Sequence, residues 1–171
     1  MDRAEITVYY LEMRAPPAGA VVTRRDDVDV LHARHPPVAY YRYLYDAVGR
    51  DYQWVGKKKL DDAELAALIH DPRVEIHVLH VDGSPAGFAE FDRRQLDEIE
   101  MVQFGLTRDF IGMGLGKWFL EWTIGKAWSY RPKRFWLHTC TLDHPAALPN
   151  YRKAGFEAYK QEIIRRENSG G

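Results

Sequence analysis

Between Asp109 and Trp122 the chain reads DFIGMGLGKWFLEW. Three glycines, Gly112, Gly114 and Gly116, alternate with apolar residues; Lys117 follows, and the sequence then turns bulky. Two apolar stripes at helical spacing start here. Leu115, Trp118, Phe119 and Trp122 make one; Leu120, Ile124, Ala127 and Trp128 make the other. The spacing predicts a helix to about Tyr130 that is buried from more than one direction. Just upstream, DEIEMVQFGL reads as a strand. Glycines between a strand and a helix permit tight turns and φ > 0, and they let a ligand approach the backbone. The helix start adds free N–H groups and the positive end of its dipole. Together these make an anion site suited to a pyrophosphate.

Three readings compete for such a loop. A Walker A loop needs Lys followed by Ser or Thr, and here Lys117 is followed by Trp118. A dinucleotide fold places G-x-G-x-x-G after an early strand with an acid about 20 residues on; this loop is G-x-G-x-G, comes late, and lies outside any repeated β-α-β pattern. The third reading is a glycine-rich turn with no ligand.

The other segments frame the loop. AEITVYYLEM is rich in β-branched and aromatic residues and reads as a first strand, broken by RAPPAGA. VVTRRDDVDVLHARHPP reads as a strand end and loop. After Pro36-Pro37, Pro37, Tyr41, Leu44, Tyr45 and Val48 form a helical stripe, with Arg42 and Asp46 pairing at i,i+4 and Gly49 as a stop. LDDAELAALIHDP is a second helix, with Asp61 and Glu64 spaced as a capping box. VEIHVLHV and AGFAEFD are strands joined by DGSP, a hairpin signal. Gly105 in the next strand suggests a bulge. RFWLHTCTL is a strand. HPAALPNYRKAGF is a short helix with Gly155 as its stop and Pro149 distorting it. FEAYKQEIIRRE supplies one or two final strands. The order predicts one mixed α/β domain over 1–171.

Composition removes several function classes. Apolar residues make up 46% and aromatics 13%, enough for a real core. The formal net charge of -1 gives no global pull toward nucleic acid or an anionic membrane. Cys140 is the single cysteine, so no intrachain disulfide forms. No apolar stretch has the length of a membrane span, and MDRAEITVYY has no apolar signal core. The expectation is a soluble, cytoplasmic protein with a frayed tail, RRENSGG. The seven histidines show no clean metal set: His32 and His35 fall in a loop, and His77 and His80 on opposite faces of a strand.

GLTRDFIGMGLGKWFLEW resembles the acyl-CoA-binding motif of the GNAT superfamily of N-acetyltransferases, R/Q-x-x-G-x-G/A between the fourth strand and the third helix. HPAALPNYRKAGF resembles the second hallmark, a short helix ending in Y-x-K-x-G-F. Both motifs stand in the family order, and the predicted elements match from about Glu5 to Glu162. The resemblance implies a central, mostly antiparallel twisted sheet of six to seven strands, splayed between the fourth and fifth and flanked by about four helices. It implies acetyl-CoA as co-substrate, its pyrophosphate on the amides of Ile111, Gly112, Met113, Gly114, Leu115, Gly116 and Lys117. The pantetheine then lies in the splay, with the thioester carbonyl near Phe104, Gly105 and Leu106. Two positions depart from the pattern. Ile111 stands where Arg or Gln is usual, and His144-Pro145 replaces Asn-Pro, so that His144 either contacts the cofactor or caps the helix.

The resemblance also implies direct attack by an amine in a ternary complex, without a covalent intermediate. Tyr151 matches the tyrosine whose hydroxyl points at the coenzyme sulfur and is the candidate acid. Glu100 matches the position of a glutamate base in some members; strand alternation puts it on one face with Glu98. His138 and Cys140 share a face of the next strand. No matched base supports a covalent role for Cys140. Asp143 is a helix cap or a substrate contact, capping being favoured. The first two helices and their loop supply the acceptor pocket in this fold. Tyr41, Tyr45, Tyr52 and Trp54 there, with Asp51 and His138, suggest an aromatic wall with an acidic point for a cationic small-molecule or peptide amine. Lys57 to Lys59 point to solvent or to the acidic cofactor. Aromatic surface is compatible with a homodimer. The alternative is a degenerate domain that binds CoA as a sensor or interaction module; a dinucleotide-dependent reductase ranks third.

Overall fold

In the computed structural model of the protein, AEITVYYLEM lies within the strand β1 (Arg3–Met13). The structure describes residues 3–19 and 22–167. The remaining elements are β2 (Val28–His32), α1 (Val38–Gly49), α2 (Asp62–Ile69), β3 (Val74–Val81), β4 (Ser84–Asp92) and β5 (Glu98–Leu106). They are followed by α3 (Leu115–Ser129), β6 (Arg134–Cys140), α4 (Ala147–Lys153) and β7 (Glu157–Glu167). One seven-stranded sheet runs β2-β3-β4-β5-β6-β1-β7. Every neighbouring pair is antiparallel except β5 and β6. A parallel pair needs a long crossover, and α3 provides it.

The helices form where the apolar periodicity predicts them. Tyr41, Leu44, Tyr45 and Val48 of α1, with Leu65 and Ile69 of α2, pack on Ile76, Val78 and Phe88 of the sheet. The Asp61–Glu64 capping box starts α2. On the other face, Leu120, Ile124 and Ala127 of α3 and Tyr151 of α4 meet Leu11, Phe91, Ile99, Met101, Phe135 and Leu137. Leu115 and Phe119 extend that layer to Val28, Leu79 and Val81. Each such large apolar side chain contributes about 1.5–3 kcal/mol when fully buried. β3 is covered on both faces, which is why VEIHVLHV is almost wholly buried. Asp82-Gly83 closes the β3–β4 hairpin as a two-residue loop with both φ values positive.

Several expectations are corrected. VDVLH, in the stretch read as a strand end and loop, is a paired edge strand throughout. Arg42 bonds Asp62 at 3.0 Å and not Asp46, which pairs with Arg50 and Lys58. Lys57 is not a solvent lysine: its Nζ lies 3.3 Å from the buried Glu90, which also accepts from the Tyr41 hydroxyl. The bulge falls at Val102, between the Phe91–Met101 and Glu90–Gln103 pairs, and not at Gly105. Gly105 answers to packing instead, since a Cβ there would stand 2.5 Å from Val48 of α1. Pro149 does not distort α4; it is the third helical residue, where no intrahelical N–H bond is lost. Arg165 to Glu167 of the tail belong to the single final strand, β7, while 168–171 lie outside the described residues. Among the described residues no helix is long and apolar enough to cross a membrane.

His32 sits in β2 opposite His77, and with Glu75 the two histidines offer ligand atoms within 4.8 Å of one another. Glu75 is already the centre of an internal network. It accepts from His77 at 2.8 Å, Arg93 at 2.8 Å and Tyr130 at 2.9 Å. Burial alone would raise its carboxyl, but the bonds from His77 and Tyr130, with Arg93, hold it at about 2. A depressed folded-state pKa stabilises the fold above the ordinary value of 4.5 and ceases to do so as pH falls toward 2. Glu75→Gln is therefore expected to lower the urea midpoint at neutral pH and to flatten its decline between pH 4.5 and 2. An unchanged decline in the variant would place the acid sensitivity elsewhere.

Candidate active site

The site begins where β5 and β6 part. They pair only from Glu98–Arg134 to Glu100–Trp136. The Val102 bulge follows at once, and a bulge bends its strand and increases local twist. Beyond it the two strands diverge, so one edge of β5 has no strand partner. The Thr107 amide is bonded to Ala86 of β4 at 2.8 Å. Backbone groups alternate along a strand, so the amides of Leu106 and Phe104 face the open edge. The bulge also resets the side-chain alternation. Met101, Phe104 and Leu106 consequently all turn toward α3, where Phe104 stacks on Phe119 at 5.3 Å.

The glycine loop closes one end of this gap. Gly112 and Gly114 have φ of 87° and 74°, and a Cβ at either would meet open space. These positions need glycine for their backbone conformation, which aims successive amides outward. Gly114 is the N-cap of α3. The amides of Leu115, Gly116 and Lys117 therefore precede the first helical hydrogen bond and are free to bind an anion. Ile111, Gly112, Gly116 and Lys117 line the cavity. Met113 is exposed outside it, and the Leu115 side chain is core, so these two and Gly114 contribute backbone only. Ile111 is 39% exposed. The loop forms without an Arg or Gln there, and its amides fit a pyrophosphate group.

The cavity, about 580 Å³, joins this cradle to the splay. Phe104, Gly105, Leu106, Tyr151, His138, Cys140, Asp143 and His144 also line it. Tyr151 is 8% exposed, and burial, followed by the Asp143 charge, pushes its phenol well above the ordinary range. It stays protonated and can donate. Glu100 is not on the wall; its Oε1 lies 3.6 Å from Nδ1 of His138, which is. Burial, followed by Asp143, raises the Cys140 thiol, which disfavours the thiolate a covalent step would need. His144 accepts the Ala146 amide at 3.0 Å, so it caps the turn into α4 as well as lining the cavity.

Of the expected acceptor wall, Tyr45, Tyr52 and Trp54 line the cavity. Tyr41 does not: it is fully buried beneath α1. Asp51 does not either; it is tied to Arg108, which joins the loop after α1 to the loop after β5. The acidic group on the wall is Asp143, and capping α4 is not its role. Its Oδ2 accepts from Thr139 and from the Cys140 amide at 3.0 Å, while Oδ1 faces Trp54 Nε1 at 3.4 Å. Gln103 and Arg166 also line the cavity. Sequence reasoning missed both. Gln103 follows the bulge, and Arg166 is brought in by the length of β7. The single signal for Arg166 was period-2 alternation continued past Glu162.

The sequence pattern of the acetyltransferase (GNAT) family matches residues 41–156, more than half of the chain. No curated protein sequence matches. Among solved structures, the fold is similar to a GCN5-related N-acetyltransferase from Sphaerobacter thermophilus, at 18% identity and a TM-score of 0.62 over 96% of this chain and 51% of that one. A tandem GNAT protein from the clavulanic acid biosynthesis pathway gives 14% and 0.65 over 99% and 56%. A conserved protein of unknown function from Staphylococcus epidermidis ATCC 12228 gives 19% and 0.64 over 95% and 60%. This chain thus spans between half and two thirds of the length of these structures, and at such identities the likeness shows the fold. With the splayed sheet, the glycine cradle and the family pattern in agreement, the chain belongs to the acetyltransferase (GNAT) family, a family of acyltransferases.

Proposed function

We propose that the protein is an acetyl-CoA-dependent N-acyltransferase that transfers an acetyl group to a primary amine, on a small molecule or a peptide, by direct attack in a ternary complex. One observation carries this reading: a single cavity joins the amide cradle at Gly112–Lys117, the open edge of β5 and the Tyr151 hydroxyl. Acetyl-CoA, when bound, supplies an activated acyl carbonyl and a thiolate leaving group. The amides of Leu115, Gly116 and Lys117 would hold its phosphates, and the cleft-facing amides of Phe104 and Leu106 would stabilise the charge that develops on the carbonyl oxygen.

Attack requires a neutral amine held close to the carbonyl. His138 is the imidazole on the wall that has a carboxylate behind it, Glu100 at 3.6 Å, to balance a positive charge. An imidazole suits proton work near neutral pH. As the C–N bond forms and the C–S bond breaks, the amine proton leaves toward His138. The departing sulfur needs a donor. A thiolate is a weaker base than a phenolate as displaced as that of Tyr151, so Tyr151 stabilises it by a hydrogen bond rather than by outright proton transfer. Solvent then supplies the thiol proton.

The test is thiol release from acetyl-CoA across a library of primary amines, with products weighed by mass spectrometry. The reading predicts CoA release matched by N-acetylated product for at least one amine class. Thiol release with no acetylated amine in any reaction would contradict it.

A further inference from the structure

The charged groups of the cavity suggest which amines it takes. Most arginines of the protein are held by a carboxylate, among them Arg25, Arg42, Arg73, Arg93, Arg94, Arg108 and Arg134. Arg166 lines the cavity and, among the described residues, has no carboxylate within ion-pair distance. Its guanidinium reaches only the Gln53 carbonyl, at 3.5 Å. Asp143 lines the same cavity with no cationic partner among the described residues. Thr139 and the Cys140 amide fix its Oδ2, which leaves Oδ1 with a single long contact to Trp54 at 3.4 Å.

Both groups stand at the same end of the cleft. Strand register places Arg166 opposite Ala4, on the β1 face that carries Tyr10, and Tyr10 is opposite His138. The 50–56 loop reaches both: Gln53 meets Arg166 and Trp54 meets Asp143. The Cys140 thiol, raised first by burial, is also raised by the Asp143 charge and lowered by that of Arg166. Asp143 and Tyr151 line the same cavity, and after burial the Asp143 charge is what raises the Tyr151 phenol. An anchored carboxylate and an unpaired guanidinium at one end of a partly apolar, aromatic-walled cavity are complementary to a molecule with an ammonium and a carboxylate of its own.

We propose that the acceptor is an amino acid or a similar amino-carboxylate, its ammonium received by Asp143 and its carboxylate by Arg166. This rests on the acyltransferase reading above. Asp143 binds the ammonium form and hands the neutral amine to the attack geometry after proton loss; Arg166 fixes the far end and excludes amines that carry no anion.

The experiment measures CoA release from acetyl-CoA with the twenty standard amino acids, each beside its carboxamide and its decarboxylated amine. Calorimetry with acetyl-CoA is run on every protein used. For the amino acids that serve as substrates, the wild type is expected to favour the free carboxylate over both analogues by at least about tenfold in kcat/KM, a difference in keeping with one charge-assisted contact. Arg166→Gln is expected to bring that ratio close to one, mainly through KM, and acetyl-CoA affinity reports whether the cofactor site of the variant is intact. Carboxamides or plain amines used as well as the amino acids by the wild type would overturn the proposal and leave acyl transfer standing, and so would a ratio that survives Arg166→Gln. Absence of acetyl-CoA binding would instead overturn the acyltransferase reading, and this proposal with it.

Discussion

Tyr151→Phe is expected to lower kcat by about 10²- to 10³-fold, within the range for loss of one positioned hydrogen-bond donor to developing charge, while KM for acetyl-CoA and thermal stability change little. The argument is local. The ring packs in the core against Phe104 and Phe156, and phenylalanine keeps both contacts. Only the hydroxyl is removed, from a residue that lines the cavity and that the proposed mechanism sets beside the departing sulfur. No protein group among the described residues hydrogen-bonds it, so its loss orphans nothing. Steady-state kinetics beside a melting curve check the prediction. A domain that binds CoA only as a sensor would lose nothing in this variant, so the same experiment separates that alternative from the enzyme.

Gly114→Val is expected to weaken acetyl-CoA binding by about 10- to 100-fold. Gly114 has φ 74°, and a β-branched residue held there stores about 1–3 kcal/mol. Space is not the obstacle, because a Cβ would touch nothing within 4 Å. The strain is relieved only if the loop turns out of the left-handed region, and that turn re-aims the amides of the α3 N-terminus away from a shared anion. Gly19→Val is the matched control: Gly19 has φ 77° and also faces open space, but it caps no helix among the described residues, whereas Gly114 is the N-cap of α3. Comparable stability losses with unequal affinity losses would assign the effect to the cradle. Equal affinities in both variants would mean that the loop amides do not hold the cofactor.

Much of the fold was legible because periodicity reports which face of an element is buried. The two stripes on α3 correspond to its contacts with two parts of the core, and the DG signal is the β3–β4 turn. β2 was not legible, since VDVLH is an edge strand that pairs only with β3, and its Leu31 is 58% exposed. The glycine loop before α3 was legible because its signal lies in contiguous residues. The acceptor end was not, because it is assembled from distant segments. Asp143 looked like a helix cap from its position, yet its carboxylate turns back to Thr139 and Cys140. Arg166 enters the cavity only because β7 continues to Glu167 along β1. Lys57 looked like solvent-facing charge, and only the fold shows Glu90 beneath it.

Isothermal calorimetry with acetyl-CoA, run beside CoA and NADH, tests the central claim most directly. The account predicts micromolar binding of acetyl-CoA and CoA and no heat from NADH. No binding of either coenzyme would contradict it, and would return Gly112, Gly114 and Gly116 to the role of a structural turn.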